Sequence, residues 1–329
     1  MIKIEEIYQD MCKIENDLYF YAYSLIKSRL EKNYLPYLRD VQPFKTDHGI
    51  NHINRILEKL FRFLEPHLPL SGNLDDRIID MENLNLLMHA VLWHDLGNLY
   101  GRLDHPQNIT KVFEKVNSFL YEPPHQSWIL KIAQAHSGAG SIEKNIEETS
   151  VTIYDSVIYP QFLSALLRIS DEIDEDQRRA EGRVISNVPK ENQAYWWFCL
   201  CTESIIPVYQ ADSLGNVALE IQIKCKMRDK DIRTKWRKGK SEVTAIEEYI
   251  SRIDKINEER IYCNKFLQQY STLYFRNIDR ITTEITICDE KNKTLGKISF
   301  AFTDDKTGSD FYNDEEIRET LKKCLVELP

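Results

Sequence analysis

Apolar residues recur every three or four positions through much of residues 49–182, and this helical periodicity limits the fold more than any other feature of the chain. Prolines and turns rich in glycine and serine interrupt it. Between these breaks, helices are predicted at 49–65, 82–96, 106–121, 124–136 and 158–180. The chain up to about residue 188 is therefore predicted to be all helical.

Beyond Pro189 the pattern changes to short runs of aromatic and β-branched residues, which are typical of strands. Strands are predicted at 195–201, 217–223, 281–288 and 295–302, and helices at 229–238, 242–270 and 314–328. The fold class is thus mainly α, a helical bundle followed by a smaller α+β portion. The predicted domains are an N-terminal helical extension (1–45), a helical domain (46–188) and an α+β C-terminal portion (189–329).

An apolar stripe at alternating spacings of three and four begins close to the N-terminus. It predicts one helix of about three heptads, packed on its own domain, with a homodimer seam through this N-terminal helix as the alternative. The stripe consists of Ile4, Ile7, Met11, Ile14, Leu18, Tyr21 and Leu25.

Composition argues against a membrane-spanning protein and against a secreted, disulfide-linked protein. The 329 residues carry 43 Lys and Arg against 52 Asp and Glu, and no run of about 18 uncharged apolar residues occurs. The N-terminus lacks the apolar segment of a signal peptide. Seven cysteines without a C-x-x-C pair indicate reduced thiols and not a disulfide framework. We therefore expect a soluble cytoplasmic protein without a membrane partner.

All eight histidines lie before residue 137, and their spacing indicates a metal site. His48 and His52 are four residues apart, which places both imidazoles on one face of a helix. His94 and Asp95 are adjacent, and Asp171 interrupts an apolar helix face. A buried carboxylate costs several kcal/mol unless it is paired or metal-bound. Imidazole and carboxylate without cysteine suit one or two divalent ions of Mn, Fe, Co, Ni or Zn, with Mg at a more oxygen-rich position.

Adjacent residues on a continuing helix point about 100° apart. His94 and Asp95 can therefore approach one ion most easily at a helix end, where Gly97 would relax the backbone.

The order His52, His94-Asp95, Asp171 resembles the HD superfamily of α-helical, metal-dependent phosphohydrolases. The flanking sequences, Asp-His-Gly at 47–49 and His-Asp-Leu-Gly at 94–97, most resemble its HD-CE subgroup. The resemblance implies an HD-type helical bundle. It also implies that His52, His94, Asp95 and Asp171 bind a first ion and that Asp95 bridges to a second. His105 and His136 occupy the positions expected for ligands of that second ion.

By the same resemblance the chain hydrolyses a phosphoester or phosphoanhydride, with a nucleotide as substrate. The catalytic residues would then be Asp95, His48 and His105. Independently of the resemblance, Arg102, Arg178 and Arg179 are candidates to hold phosphate oxygens, with surface pairing to the acidic run at 171–176 as the alternative. Two alternatives stay open at this point. One is a non-catalytic nucleotide-sensing or partner-binding HD module of a stress or defence system, and the other is a nuclease.

The remaining features have simpler interpretations. His89 is predicted to lie in the core, and His67 and His125 are predicted to be exposed. From Lys224 to Lys240 the chain carries nine Lys and Arg against two Asp. A solvated surface explains this stretch; with Trp236, a nucleic-acid contact is the alternative.

Overall fold

The computed structural model describes residues 3–41, 48–68, 79–102, 104–116, 121–138, 140–180, 184–211, 217–232, 234–268 and 277–302. By its internal contacts the chain divides into two compact units. The first unit comprises Met1–Asp171 and Cys263–Phe275, and the second comprises Glu172–Tyr262 and Arg276–Pro329. This division differs from the domain boundaries expected after residues 45 and 188, which stay a prediction.

The first unit is built almost entirely from helices. They are α1 (Ile4–Glu15), α2 (Asp17–Asn33), α3 (Leu35–Val41), α4 (Ile50–Leu64), α5 (Met81–Trp93), α6 (His105–Val116), α7 (Pro123–Gln134), α8 (Ser141–Asn145) and α9 (Pro160–Glu172). A short hairpin of β1 (Val151–Ile153) and β2 (Ser156–Ile158) interrupts them. The prediction of an all-helical region is wrong at this hairpin, where Tyr154 adopts a positive φ of 52° that closes the turn.

Helix α5 is the centre of the first unit. Every residue of α5 except Glu82 is buried, and α1, α2, α4 and α7 pack around it. A helix that is apolar on all sides is expected to lie in a core. Its N-terminus is capped by Asp80, whose side chain accepts the Asn83 N–H at 2.8 Å. Core packing therefore fixes the direction of α5 and the position at which it ends, immediately before His94.

The N-terminal stripe does not form one continuous helix, and that prediction is wrong. The chain breaks at Asn16, where α1 ends and where the Asn16 side chain caps α2 by accepting the Leu18 N–H. Because of the break, the first part of the stripe is buried on α4 and α5, whereas Ile14, Leu18 and Tyr21 are exposed. The homodimer stays a prediction.

The second unit contains a four-stranded sheet and two main helices. Its elements are α10 (Gln193–Cys201), β3 (Thr202–Ala211), β4 (Val217–Arg228), α11 (Asp229–Ile232), β5 (Lys235–Lys238), β6 (Ser241–Thr244), most of α12 (Ala245–Leu267), β7 (Ile278–Cys288) and β8 (Thr294–Phe302). The sheet order is β3-β4-β7-β8, with β4 and β7 parallel and the other pairs antiparallel. Alternation along β4 buries Leu219, Ile221, Ile223, Cys225 and Met227.

Four elements of this unit differ from the predictions: strands β3 and β6 were not predicted, and α10 and β5 were predicted in the wrong state. Residues 195–201 were expected to form a strand but belong to helix α10, because a short run buried on nearly all sides carries no periodicity that separates the two states. Residues 235–238 were expected to be helical but form β5, because Gly239 has a φ of 59° and turns the chain into β6. Strands β4, β7 and β8 confirm the remaining pattern.

The described architecture confirms the fold class, a mainly helical protein with a smaller α+β portion. The six cysteines of the described segments are free and buried. Among the described helices, none combines the length and hydropathy needed to cross a bilayer. The helix predicted at 314–328 lies outside the described residues.

Candidate metal centre

Five helices of the first unit bring seven ionisable side chains together. His52 lies in the first turn of α4, and His94 and Asp95 follow the end of α5. His48 lies two residues before α4 begins, so the prediction that it shares a helix face with His52 is wrong. The other three come from the first residue of α6, the turn after α7 and the last turn of α9, and they are His105, His136 and Asp171. Every residue expected to bind metal is therefore in one cluster.

The first group of ligand atoms belongs to His52, His94 and Asp171. The His52 Nε2 atom lies 3.2 Å from His94 Nε2 and 3.2 Å from Asp171 Oδ1. His94 Nε2 lies 4.0 Å from the same carboxylate oxygen. An ion with bonds of about 2.1 Å holds neighbouring ligand atoms about 3.0–3.4 Å apart, so this group fits one divalent cation.

The second group belongs to His105, His136 and Asp95. The two Nε2 atoms are 3.1 Å apart, and they lie 3.8 and 3.9 Å from Asp95 Oδ1. All three side chains are buried. These separations are below about 4.2 Å, the distance between two ligand atoms on opposite sides of an ion with bonds of about 2.1 Å, so one ion can contact all three.

Asp95 joins the two groups because its two oxygens face different histidines. Oδ1 faces His105 and His136, whereas Oδ2 lies 3.4 Å from His52 Nε2 and 3.6 Å from His94 Nε2. A carboxylate with this orientation can bind one ion through each oxygen. The expectation that Asp95 bridges two ions is thus supported by the geometry.

Backbone carbonyls fix which nitrogen of each histidine faces the cluster. The Nδ1–H of His94 donates to the Val91 carbonyl at 2.8 Å, and that of His136 donates to Ala133 at 2.6 Å. The His105 Nδ1–H donates to the Arg102 carbonyl at 3.2 Å. A metal-binding histidine commonly donates its other ring N–H in this way. A ring that carries its single proton on Nδ1 has its lone pair on Nε2, so in all three histidines the nitrogen that can bind a metal faces the cluster.

This arrangement also explains why the donor set fits a cation. Since His105 and His136 both carry their proton on Nδ1, two Nε2 lone pairs face each other across 3.1 Å. Facing lone pairs repel each other unless a positive ion lies between them. The chemistry of the donors therefore supports the second metal position.

The pKa shifts within the cluster favour ionised carboxylates and a neutral His136. Burial raises the pKa of Asp95, but the charges of His48 and His94 and hydrogen bonds from His48 and His52 outweigh it and hold the pKa well below normal. Burial also raises the pKa of Asp171, which the His52 hydrogen bond and the His94 and His52 charges lower overall. Burial lowers the pKa of His136 to about 3. Carboxylates are therefore ionised and His136 is neutral near pH 7.

Sequence reasoning missed Asn98, a buried residue that orients Asp95. Its side-chain amide donates to Asp95 Oδ1 at 2.8 Å and to the Asp95 carbonyl at 3.0 Å. The first of these bonds holds the carboxylate through Oδ1, the oxygen that faces His105 and His136. The only signal in the sequence was the spacing of three residues within a turn, which many unrelated asparagines share.

The rim of the cluster contains His48 and Arg102. The His48 side chain is only 9% exposed, and its Nδ1 lies 2.7 Å from Asp95 Oδ2. Arg102 is exposed, and its charge contributes to the lowered pKa of His105, for which burial is the larger cause. Of these two residues, only Arg102 is open to solvent, whereas His48 is about as enclosed as Asp95.

The other two predicted substrate-binding arginines belong to the second unit. Arg178 donates through Nε and Nη2 to the Asp176 carboxylate, at 2.7–3.2 Å. Arg179 is buried and donates to the Asp174 carbonyl at 2.6 Å. These contacts give both side chains a structural role, and substrate binding by either stays a prediction.

The histidines outside the cluster are all buried. His89 lies in the core and bonds through Nδ1 with the Tyr121 hydroxyl at 2.8 Å, as predicted. The prediction of exposure is wrong for His67 and His125. His125 is held by Glu82 at 2.9 Å, a contact between sequence-distant helices that proline-rich flanking sequence does not reveal.

Part of the basic stretch is also used internally. Trp236 stacks on Trp197, with ring centroids 6.2 Å apart. Lys238 pairs with Glu248 at 2.8 Å. Lys235 and Arg237 are exposed on the other face of β5. The aromatic residue that favoured a nucleic-acid contact is therefore packed against the protein.

Comparison with known proteins agrees with this geometry. The HD-CE family model matches residues 35–252, which is more than half of the chain and includes every ligand of both groups. Comparisons with curated proteins and with solved structures find no match. The histidines and aspartates have the expected order and converge in one cluster, and the family match is extensive. The chain therefore belongs to the HD-CE family, and thus to the HD-type proteins, which are generally metal-dependent phosphohydrolases.

Proposed function

We propose that this protein hydrolyses a phosphoester or phosphoanhydride bond of a nucleotide with two divalent ions bound in the cluster. The orientation of Asp95 carries the proposal, because its two oxygens face two separate groups of histidines. His52, His94 and Asp171 would complete one position, and His105 and His136 the other. Manganese, iron, cobalt, nickel and zinc all suit this donor set.

When bound, such ions acidify a water molecule and neutralise charge on phosphoryl oxygens. The side chains of the chain supply the rest. Asp95 and Asn98 fix the distance between the two metal positions. The Asn98 side chain does so by donating a hydrogen bond to the carboxylate that joins them. Without that fixed carboxylate, the two groups of histidines would no longer share a ligand.

His48 is the residue we assign to proton transfer. Its Nδ1–H donates to Asp95 Oδ2 at 2.7 Å, which orients the ring and stabilises the imidazolium. The charged ring can then give its Nε2 proton to the leaving oxygen of the substrate. His105 was the other catalytic candidate, but its Nε2 faces His136 and Asp95, so the structure favours the ligand role.

Arg102 is the cationic side chain that we assign to the substrate phosphate. It is exposed at the rim, and guanidinium groups recognise phosphate oxygens through paired hydrogen bonds. A nucleotide held chiefly at the metal cluster should bind with a shallow dependence on salt. A polymer held by many phosphates would instead show a steep one.

A panel of nucleotides tests this proposal. Metal-loaded protein is incubated with nucleoside triphosphates, diphosphates and cyclic nucleotides, and the products are separated by chromatography. We expect turnover of at least one class, with Asp95→Asn inactive and Arg29→Gln, remote in sequence and bonded to the Val116 carbonyl, as active as wild type. Binding without any turnover by the fully loaded protein would favour the non-catalytic sensor instead.

A further inference from the structure

Arg168 is a buried arginine on α9, three residues before the metal ligand Asp171. Residues with this spacing lie on the same face of a helix. Its Nη1 atom donates to the Gly138 carbonyl at 2.8 Å and lies 2.6 Å from the Ser141 hydroxyl oxygen. The side chain thus extends from the helix of one ligand to the loop that follows another, His136.

Ser141 continues this connection toward His136. Its hydroxyl donates to the Ala135 carbonyl at 2.7 Å. Ala135 precedes His136, and Gly138 follows it by two residues in a turn where its φ is 96°. Arg168 and Ser141 therefore hold the backbone on both sides of His136, whose own Nδ1–H donates back to Ala133.

Burying a guanidinium costs desolvation free energy. We expect such a residue where its hydrogen bonds hold a backbone segment in a position that an apolar side chain would not enforce. Two of the Arg168 hydrogen bonds end on the Gly138 carbonyl and on the hydroxyl of Ser141, the first residue of α8. Hydrogen bonds from a charged donor are stronger than neutral ones, so these two bonds restrict the backbone that follows His136. The residue that this restriction places is His136.

We propose that Arg168 is a positioning residue that sets the place of His136, and through it the second ion, relative to the helix that carries Asp171. This inference rests on the two-ion cluster proposed above. Arg168 does not coordinate an ion or contact substrate in this account. It acts through Ser141 and Gly138.

The test titrates Mn²⁺ into metal-stripped protein and measures each binding step. Titration calorimetry gives the two affinities, and electron paramagnetic resonance reports the bound Mn²⁺. For Arg168→Gln and Ser141→Ala we expect affinity for the second ion to fall about 10- to 100-fold, the range for losing an outer contact to a metal ligand. Affinity for the first ion should change less than about threefold. Arg168→Lys should recover part of the second-ion affinity, since an ammonium can still donate to this loop.

Ser164→Ala is the matched control. Ser164 is buried on the same helix and donates to the Pro160 carbonyl at 2.8 Å, so it loses a similar bond away from the loop. It should bind both ions as wild type does. The double variant Arg168→Gln with Ser141→Ala should be little worse than Arg168→Gln alone, because both changes remove one connection.

Two results would overturn the inference while leaving the two-ion cluster intact. One is wild-type binding of both ions by Arg168→Gln, and the other is equal weakening of both ions in Arg168→Gln and Ser141→Ala. Wild-type protein that binds one ion only would overturn the proposed function and this inference together.

Discussion

Gly97 and His105 are in backbone contact so close that no other residue fits at position 97. A Cβ atom there would lie 1.8 Å from the His105 carbonyl oxygen and 2.9 Å from the Ile109 nitrogen. The first turn of α6 can therefore pack against the backbone at position 97 only because glycine has no side chain there. This approach brings His105 to Oδ1 of Asp95.

Gly97→Ala should separate α6 from the metal cluster. Backbone atoms cannot rotate away as a flexible side chain does, so we expect a loss of about 1–3 kcal/mol or more in the free energy of unfolding. The second ion should be lost first, since His105 moves with α6. Thermal unfolding and metal analysis check both effects. Gly296→Ala, where an added Cβ meets nothing within 4 Å, is the control. Equal behaviour of the two variants would contradict this role of Gly97.

Asn98→Ala should weaken the second ion without unfolding the protein. The change removes the 2.8 Å bond to Asp95 Oδ1 and lets the carboxylate rotate. We expect affinity for that ion to fall about 10- to 100-fold. Calorimetric titration with Mn²⁺ measures it.

Asn83→Ala is the control for this prediction. Asn83 is also buried, but its amide bonds to Asp80 and to the Val157 carbonyl at the other end of α5. Its loss should reduce stability and leave metal affinity unchanged. If Asn98→Ala binds metal as tightly as wild type, the amide does not orient the bridging carboxylate.

Arg102→Ala should raise KM for the nucleotide and leave the metal content unchanged. A hydrogen bond between charged groups is worth about 1.5–3 kcal/mol, which corresponds to an increase of about 10- to 100-fold in KM. The His105 bond goes to the backbone carbonyl of Arg102, which the substitution retains. Steady-state kinetics at fixed metal concentration give the result. An unchanged KM would mean that phosphate is held elsewhere.

Acidification should destabilise the protein through His89. Burial lowers the pKa of His89 from 6.5 to about 3. Between pH 6.5 and 3 the unfolded chain therefore binds a proton at His89 that the folded chain does not. The free energy of unfolding falls by about 1.4 kcal/mol for each pH unit in this window, and this contribution is absent above it.

His89→Gln isolates the effect, since an amide can still bond to the Tyr121 hydroxyl. We expect wild type to be more stable than the variant at pH 7.5, and this advantage to shrink by about 2 kcal/mol by pH 5. Urea unfolding of chelator-treated protein at the two pH values measures the difference. A stability difference that does not depend on pH would contradict the shift.

The clustering of the candidate metal ligands could be predicted from the sequence because few arrangements explain their order. His52 lies on α4, the adjacent His94 and Asp95 follow α5, and Asp171 lies on α9. A shared ion accounts for Asp171 on an apolar face. Gly97 was interpreted as a residue that relaxes the backbone. Its actual reason, the approach of His105, is a contact between two elements that spacing cannot reveal.

Other parts could not be predicted for related reasons. Residues 195–201 are buried on nearly every side, and a short run of this kind has the same composition in a strand and in a helix. Arg168 and Ser141 show no pattern at all, since they are 27 residues apart and meet only when α9 packs beside the loop after α7. Contacts of this kind depend on tertiary packing.

The central claim is that Asp95 joins two metal positions, and counting metal ions per chain tests it most directly. Elemental analysis after saturation with Mn²⁺ and removal of excess ions is applied to wild type, His136→Ala and Asp95→Ala. We expect about two ions, about one ion and almost none, because the first variant loses a ligand of one position and the second loses the shared ligand. A wild-type count of one in excess Mn²⁺, or two ions retained by Asp95→Ala, would contradict the account.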